Sequence, residues 1–199
     1  MKHRLWTEIA GMAGVQLEQS QLRLLETYQD WLSDEAVAAG GLGPGEPERI
    51  DTRHIADSLL FAVAMPMIPT EMWDLGSGAG LPGIPLAILL ESTSFVLVEK
   101  SGRRVDLLDR ALRILELENV EVQHTEIGRL KGPVEALVSR ATLGPEETLV
   151  IAQRLLRPDG FALMGGSWTE PPSHRGWRTV EITPRSLDHP VWVLIMRRQ

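Results

Sequence analysis

At 199 residues and 22.1 kDa, with 43% hydrophobic residues, the chain is long enough for one ordinary domain with an appendage, and for a sizeable core. It contains no Cys, which excludes disulfides, thiolate zinc sites and a cysteine nucleophile. A formal net charge of −7 excludes a wholesale electrostatic grip on nucleic acid, so any phosphate contact must be local.

The first forty residues read as helical, with Leu17, Leu24, Leu25, Tyr28, Trp31 and Leu32 at helical spacing and Gly40 and Gly41 available as a stop. Residues 40–47, GGLGPGEP, are too rich in Gly and Pro for a regular element and predict a hinge or loop over 40–50. A second helical piece is expected from about Asp51 to Ala64. This N-terminal region is acidic, since residues 1–70 hold ten acids against five bases.

From there short apolar runs alternate with helical patterns. Strands are predicted at Glu71–Leu75, Ser94–Glu99, Val120–His124, Ala136–Ser139 and Phe161–Gly165, with helices at Gly83–Leu90, Gly102–Leu117 and Pro145–Leu156 between them. That alternation is the signature of βαβ units and a parallel sheet. Two further apolar runs, Trp177–Ile182 and Val191–Met196, predict a closing antiparallel pair on one sheet edge. The apolar stretches Leu59–Ile68 and Ile84–Leu90 are well short of a membrane span, and MKHRLWTEIAG has no signal-like apolar region, so a cytoplasmic protein with no membrane association is expected.

The segment DLGSGAGLPGIPL, Asp74–Leu86, leaves the first predicted strand and enters a helix, the context of a nucleotide-binding turn. Its glycines, Gly76, Gly78 and Gly80, permit backbone torsions closed to other residues and let a ligand lie against the main chain. Pro82 and Pro85 remove backbone donors that a pyrophosphate would use, and Asp74 stands ahead of the glycines. Together these favour a cationic ligand without phosphate and argue against a nicotinamide dehydrogenase.

One strand later, Glu99 is placed as the acid that accepts from a ribose diol. A glycine loop taken alone can be only a tight turn, and an acid at a strand end can be merely solvated. Their joint spacing describes a nucleoside-type site, and S-adenosyl-L-methionine fits it best, with its ammonium near Asp74 and its ribose hydroxyls near Glu99.

GSGAGLPGIPLAI, preceded by RHIADSL and followed by VEKSGRRVDLL, LELENVEV and VSRA, resembles the bacterial small-subunit (16S) ribosomal RNA guanine-N7 methyltransferases, also called glucose-inhibited division protein B. The resemblance runs in order from about Arg53 to Gly165. It implies an α/β, Rossmann-like S-adenosylmethionine-dependent methyltransferase fold: a mostly parallel seven-stranded sheet with helices on both faces, preceded by N-terminal helices. The expected division is residues 1–64 for the helical region and 65–199 for the methyltransferase domain.

The resemblance further implies cofactor contacts at Gly76 and Leu81, at the backbone of Glu126 and Ile127, and at Arg140 of the SRA motif. Arg53, His54, Asp57 and Ser58 match the family's RHxxDS element beside the cofactor pocket, either as substrate contacts or as hydrogen-bonded architecture. The chain also departs from the family. No Asn-Leu-Thr segment follows Trp31, Met164 stands where relatives carry a lysine, and Thr142 follows the SRA motif where relatives usually carry an aromatic residue.

Residues 100–113, KSGRRVDLLDRALR, hold five bases against two acids. Lys100, Arg103, Arg104, Arg110 and Arg113, together with Arg140, are therefore the candidate contacts to 16S ribosomal RNA or the 30S subunit, although a solvated helix face would look the same. The five histidines are scattered, with neither triad nor metal spacing, so no metal and no catalytic base are assigned. Guanine N7 carries a lone pair and no proton, so direct in-line transfer by a monomer is the expected mechanism. A diverged methyltransferase acting on a small molecule or a protein, or a non-catalytic cofactor-binding relative, is the alternative.

Overall fold

Buried residues recur on both sides of consecutive strands, and this alternation sets the architecture. The computed structural model describes residues 2–40, 42, 49–166, 168–187 and 189–199. Seven strands form one sheet: β1 (Glu71–Leu75), β2 (Ser94–Glu99), β3 (Val120–His124), β4 (Val134–Arg140), β5 (Leu156–Gly165), β6 (Arg178–Ile182) and β7 (Val191–Arg197), in the order β3-β2-β1-β4-β5-β7-β6. The first five strands run parallel, while β7 lies antiparallel between β5 and β6. The expected seven-stranded, mostly parallel sheet and its closing antiparallel pair are both present.

The two sheet faces bury different helices. Phe95 and Leu97 of β2 join one core with residues of α1 (Lys2–Met12), α2 (Gln19–Trp31), α3 (Asp57–Ala64), α4 (Gly83–Leu89) and α5 (Gly102–Leu115). Val96 and Val98 point the other way, into a smaller core with Ala152 and Leu155 of α6 (Pro145–Leu155). Strands apolar on both faces are what a doubly covered parallel sheet requires. Among the described residues no helix is long and apolar enough to cross a membrane.

The N-terminal stretch divides where a continuous helical rhythm is read. Helix α1 ends at Met12, Gly14 takes φ 75°, and α2 starts afresh after Glu18, whose backbone N–H donates to the Gln21 side chain at 2.8 Å. Gln21 also donates to the Ile88 carbonyl at 2.8 Å, fastening α2 to the end of α4. Two π-helical stretches, Leu32–Ala36 after α2 and Ile50–Ala56 before α3, widen the backbone beside the predicted RHxxDS element. The predicted loop at 40–50 falls largely outside the described residues.

Candidate cofactor cleft and adjoining cavity

The glycine loop turns over the carboxyl ends of β1 and β2. Gly76, Gly78 and Gly80 take φ of 75°, 61° and 98°, left-handed torsions that an L side chain adopts at a cost. The amides of Gly76 and Ser77 donate to the Val98 carbonyl at 2.9 and 3.1 Å, and Gly78 donates to Glu99 Oε2 at 3.1 Å. Helix α4 begins only at Gly83. Pro85 lies in its first turn, where a backbone N–H has no intrahelical acceptor, so the proline is tolerated there.

Asp74 is fully buried. One carboxylate oxygen accepts from Gly83 N–H at 3.0 Å, while the other, Oδ1, has no hydrogen-bond partner. Burial pushes its carboxyl up to about 7, against the opposing pull of the Gly83 and Ser77 donors and of Arg140. A buried, unpartnered acceptor of this kind costs free energy until a donor or a cation satisfies it.

Glu99 is 3% exposed. Its Oε1 accepts from the amides of Lys100 and Ser101, both at 2.9 Å, and Arg104 lies 3.8 Å from Oε2 beyond the Gly78 contact. These bonds fix the carboxylate's direction and leave part of its accepting capacity open. Gly76, Glu99, Glu126 and Ile127 all line one cavity of about 310 Å³, closed on its far side by Thr142 and Leu143. Of the other predicted cofactor residues, Gly78 donates to Glu99 on this wall, while Asp74, Gly80, Leu81 and Arg140 do not line the cavity: Asp74 accepts from Gly83 at the start of α4, and Leu81 is buried.

Arg140 ends β4 and binds the element expected beside it. Its guanidinium donates to the carbonyls of Arg53 and His54, each at 3.4 Å, and to His54 Nδ1 at 3.1 Å. Ser58 spends its hydroxyl on the His54 carbonyl, so within RHxxDS this residue serves the helix itself. Burial pushes the Asp57 carboxyl up to about 6, with Arg140, His189 and Arg53 drawing it back toward the ionised form. Arg53 and Asp57 line a second cavity of about 460 Å³, shared with Trp168, His189 and Trp192.

The basic helix α5 presents less free charge than its composition suggests. Arg104 faces Glu99, and Arg110 pairs with Glu35 at 3.3 Å; Arg103 and Arg113 are exposed. Met164, the residue before the last of β5, is 4% exposed.

Tyr28 and Thr142 carry contacts that sequence patterns do not disclose. The buried Tyr28 hydroxyl donates to the Ala79 carbonyl at 2.8 Å, and its ring stacks on Trp31, so α2 clamps the glycine loop. Thr142 donates to the Gly76 carbonyl at 2.9 Å. Tyr28 reads in sequence as one more member of an apolar stripe. Tyr28→Phe strands the Ala79 carbonyl, an expected loss of about 1–2 kcal/mol, measurable as a melting-temperature drop of about 2–8 °C.

Relatives point to a single family. The family model described as GidB, rRNA small subunit methyltransferase G, matches residues 21–172. Ribosomal RNA small subunit methyltransferase G of Chlorobaculum tepidum is 35% identical over 161 residues, 79% of this chain and 74% of that protein. The protein of the same name from Leifsonia xyli subsp. xyli is 35% identical over 164 residues, 80% of this chain and 77% of that one.

Solved structures share the fold. A mutant of MtNAS in complex with S-adenosylmethionine superposes with a TM-score of 0.60 at 15% identity, covering 89% of this chain and 73% of that one. A SAM-dependent methyltransferase from Aquifex aeolicus gives 0.57 at 15% identity, covering 77% and 94%. With the family model spanning three quarters of the sequence and the motif residues gathered at one edge of this sheet, the chain belongs to the rRNA small subunit methyltransferase G family.

Proposed function

We propose that this protein transfers a methyl group from S-adenosyl-L-methionine to N7 of a guanine in 16S ribosomal RNA, acting as a cytoplasmic monomer on the RNA or on the 30S subunit. The observation that carries this reading is the convergence of Gly76, Glu99, Glu126 and Ile127 on one cavity; at the end of the strand that leads into Gly76, a buried Asp74 oxygen lacks a partner.

The residues present fit the cofactor. Asp74 Oδ1 offers a buried anionic acceptor to an ammonium, and Glu99, oriented by three amides, accepts from ribose hydroxyls. Ile127–Arg129 form a single 3₁₀ turn after Glu126, and the first amides of such a turn have no partner within it. They supply donors at the cavity wall. Leu81 and Arg140 complete the set, the latter as the link to Arg53, His54 and Asp57.

S-Adenosylmethionine supplies an electrophilic methyl carbon whose bond to sulfur breaks, leaving its electron pair on sulfur, as the guanine N7 lone pair forms the new carbon–nitrogen bond. N7 bears no proton, so no side chain has to remove one. The protein's work is then alignment of two reactants at close range, which is worth several orders of magnitude in rate. Scattered histidines and a rigid, hydrogen-bonded loop suit that task.

The test is transfer of labelled methyl from S-adenosylmethionine to 30S particles isolated from a strain lacking this gene. The expected product is 7-methylguanosine, identified by mass spectrometry of the digested RNA. Absence of transfer to either naked 16S RNA or 30S particles, with cofactor bound, would overturn the RNA reading and favour a small-molecule or protein acceptor.

A further inference from the structure

The larger cavity beyond Arg140 is not needed to hold the cofactor, and its lining has a chemistry of its own. It opens at the carboxyl edge of the sheet, where Gly166 follows the last residue of β5 and Gly165 pairs with Arg140. Arg140 reaches Arg53 and His54 on this side, and two residues later Thr142 donates to the Gly76 carbonyl on the other. The two cavities therefore flank one short stretch of β4 and the residues after it.

Two indoles line this cavity, and both are braced. An added Cβ at Gly166 would lie 3.0 Å from the Trp168 ring, so that ring packs directly on backbone. Trp192 commits its Nε1–H to Glu181 at 3.3 Å, leaving the face of the indole available. Asp57 supplies the carboxylate, with the side chains of Arg140, His189 and Arg53 around it. At about 460 Å³ the cavity lies within the range of small-ligand sites, about 300–1,000 Å³.

We propose that this cavity is the pocket for the acceptor base: a guanine turned out of its RNA stacks on Trp168 and Trp192 and donates its N1–H and N2–H to the carboxylate of Asp57. The inference rests on the transferase reading above and assigns it a specificity-determining residue. Of the RNA bases, guanine presents two adjacent donors on its pairing edge, which a carboxylate accepts together. Aromatic stacking holds a base removed from its helix whatever its identity, so the carboxylate carries the discrimination. Arg49 and Arg53 at the rim place positive charge where the attached phosphates would lie.

The experiment compares wild type with Trp168→Ala, Trp192→Ala, their Phe counterparts and Asp57→Asn. Methyl transfer is measured on 30S particles reconstituted with either guanosine or inosine at the methylated position, and cofactor affinity is measured in parallel by calorimetry. Each Ala variant is expected to lose about tenfold or more in kcat/KM, with the Phe variants within about threefold of wild type. Cofactor affinity is expected to stay within about twofold.

Inosine lacks the 2-amino donor, so wild type is expected to prefer guanosine by about tenfold, and Asp57→Asn to show a ratio near one. A merely structural role for Asp57 would lower both rates and keep the ratio. If wild type transfers methyl and the Ala variants or the ratio are unchanged, the base pocket is overturned while the transferase reading stands. If wild type transfers nothing to 30S particles, both fall.

Discussion

Gly76→Val is expected to weaken S-adenosylmethionine binding by about tenfold or more while leaving a folded protein. The glycine sits at φ 75°, where a β-branched residue costs about 1–2 kcal/mol in backbone strain. A Cβ there would lie 2.2 Å from Thr142 Cγ2 and 2.7 Å from Thr142 Oγ1, too close for any real contact, and overpacking of this kind costs about 1–3 kcal/mol. Both penalties fall on the wall of the cavity that holds Gly76 and Thr142 together. Their sum, about 2–5 kcal/mol, weighs on the folded loop with or without cofactor, so it is read as lost stability, and the loop movement that relieves it is read as lost affinity by calorimetry with the cofactor.

All three atoms nearest the added Cβ belong to the Thr142 side chain, and alanine removes the two closest, Cγ2 and Oγ1, so the double variant Gly76→Val with Thr142→Ala should recover part of the steric cost and none of the torsional part. The non-additivity measures that share directly. Equal affinity of Gly76→Val and wild type would remove the cofactor cleft from this edge of the sheet. A melting curve for each variant separates lost binding from lost folding.

The sheet was legible because its strands are short apolar runs set between helical patterns. β1, β2 and β3 fall on the residues their apolar runs predict. β5 begins at Leu156, five residues before its predicted start, because Arg157-Pro158-Asp159-Gly160 reads as a turn. In the structure that segment is a bulge: Val134 pairs with Leu156, then Ala136 with Phe161, and Asp159 takes φ 62°. α5 stops at Leu115, two residues short of the predicted end, because Glu116 adopts φ 51° and terminates the helix.

The grouping of Gly76, Glu99, Glu126 and Ile127 on one cavity was legible for a related reason. Its residues sit at the ends of consecutive strands, where chain order and spatial order agree. The second cavity was not, since Asp57 precedes the sheet whereas Trp168 follows β5 and Trp192 lies in β7. Only the insertion of β7 between β5 and β6 brings them together. Composition alone does not separate the arginines of α5, whereas the fold sets Arg104 against Glu99 and Arg110 against Glu35 and leaves Arg103 and Arg113 exposed.

Asp74 gives the steepest pH dependence expected of this protein. Its carboxyl titrates at about 7 because burial disfavours the charged form, while its ordinary value is 3.8. Below pH 7 the empty protein therefore holds a proton on Asp74 that an incoming ammonium must displace. Cofactor affinity is expected to rise about tenfold per pH unit up to pH 7 and to level off above it, with one proton released in the rising range. Asp74→Asn should flatten that slope and lower affinity at pH 8 by about 10- to 100-fold, the worth of a hydrogen bond to a charged group.

Stability of the empty protein must move the other way. A folded value raised above the unfolded one contributes stability that is full below pH 3.8 and is lost as pH climbs through 7. The interval between these values corresponds to on the order of 4 kcal/mol for a fully buried group. Denaturant titrations at pH 5 and pH 8 should thus show Asp74→Asn gaining on wild type as pH rises, while the same substitution loses cofactor affinity. Opposed trends from one carboxylate identify an acid held out of water for a cation. If both trends are absent in Asp74→Asn, the unpartnered oxygen is not the ammonium's partner.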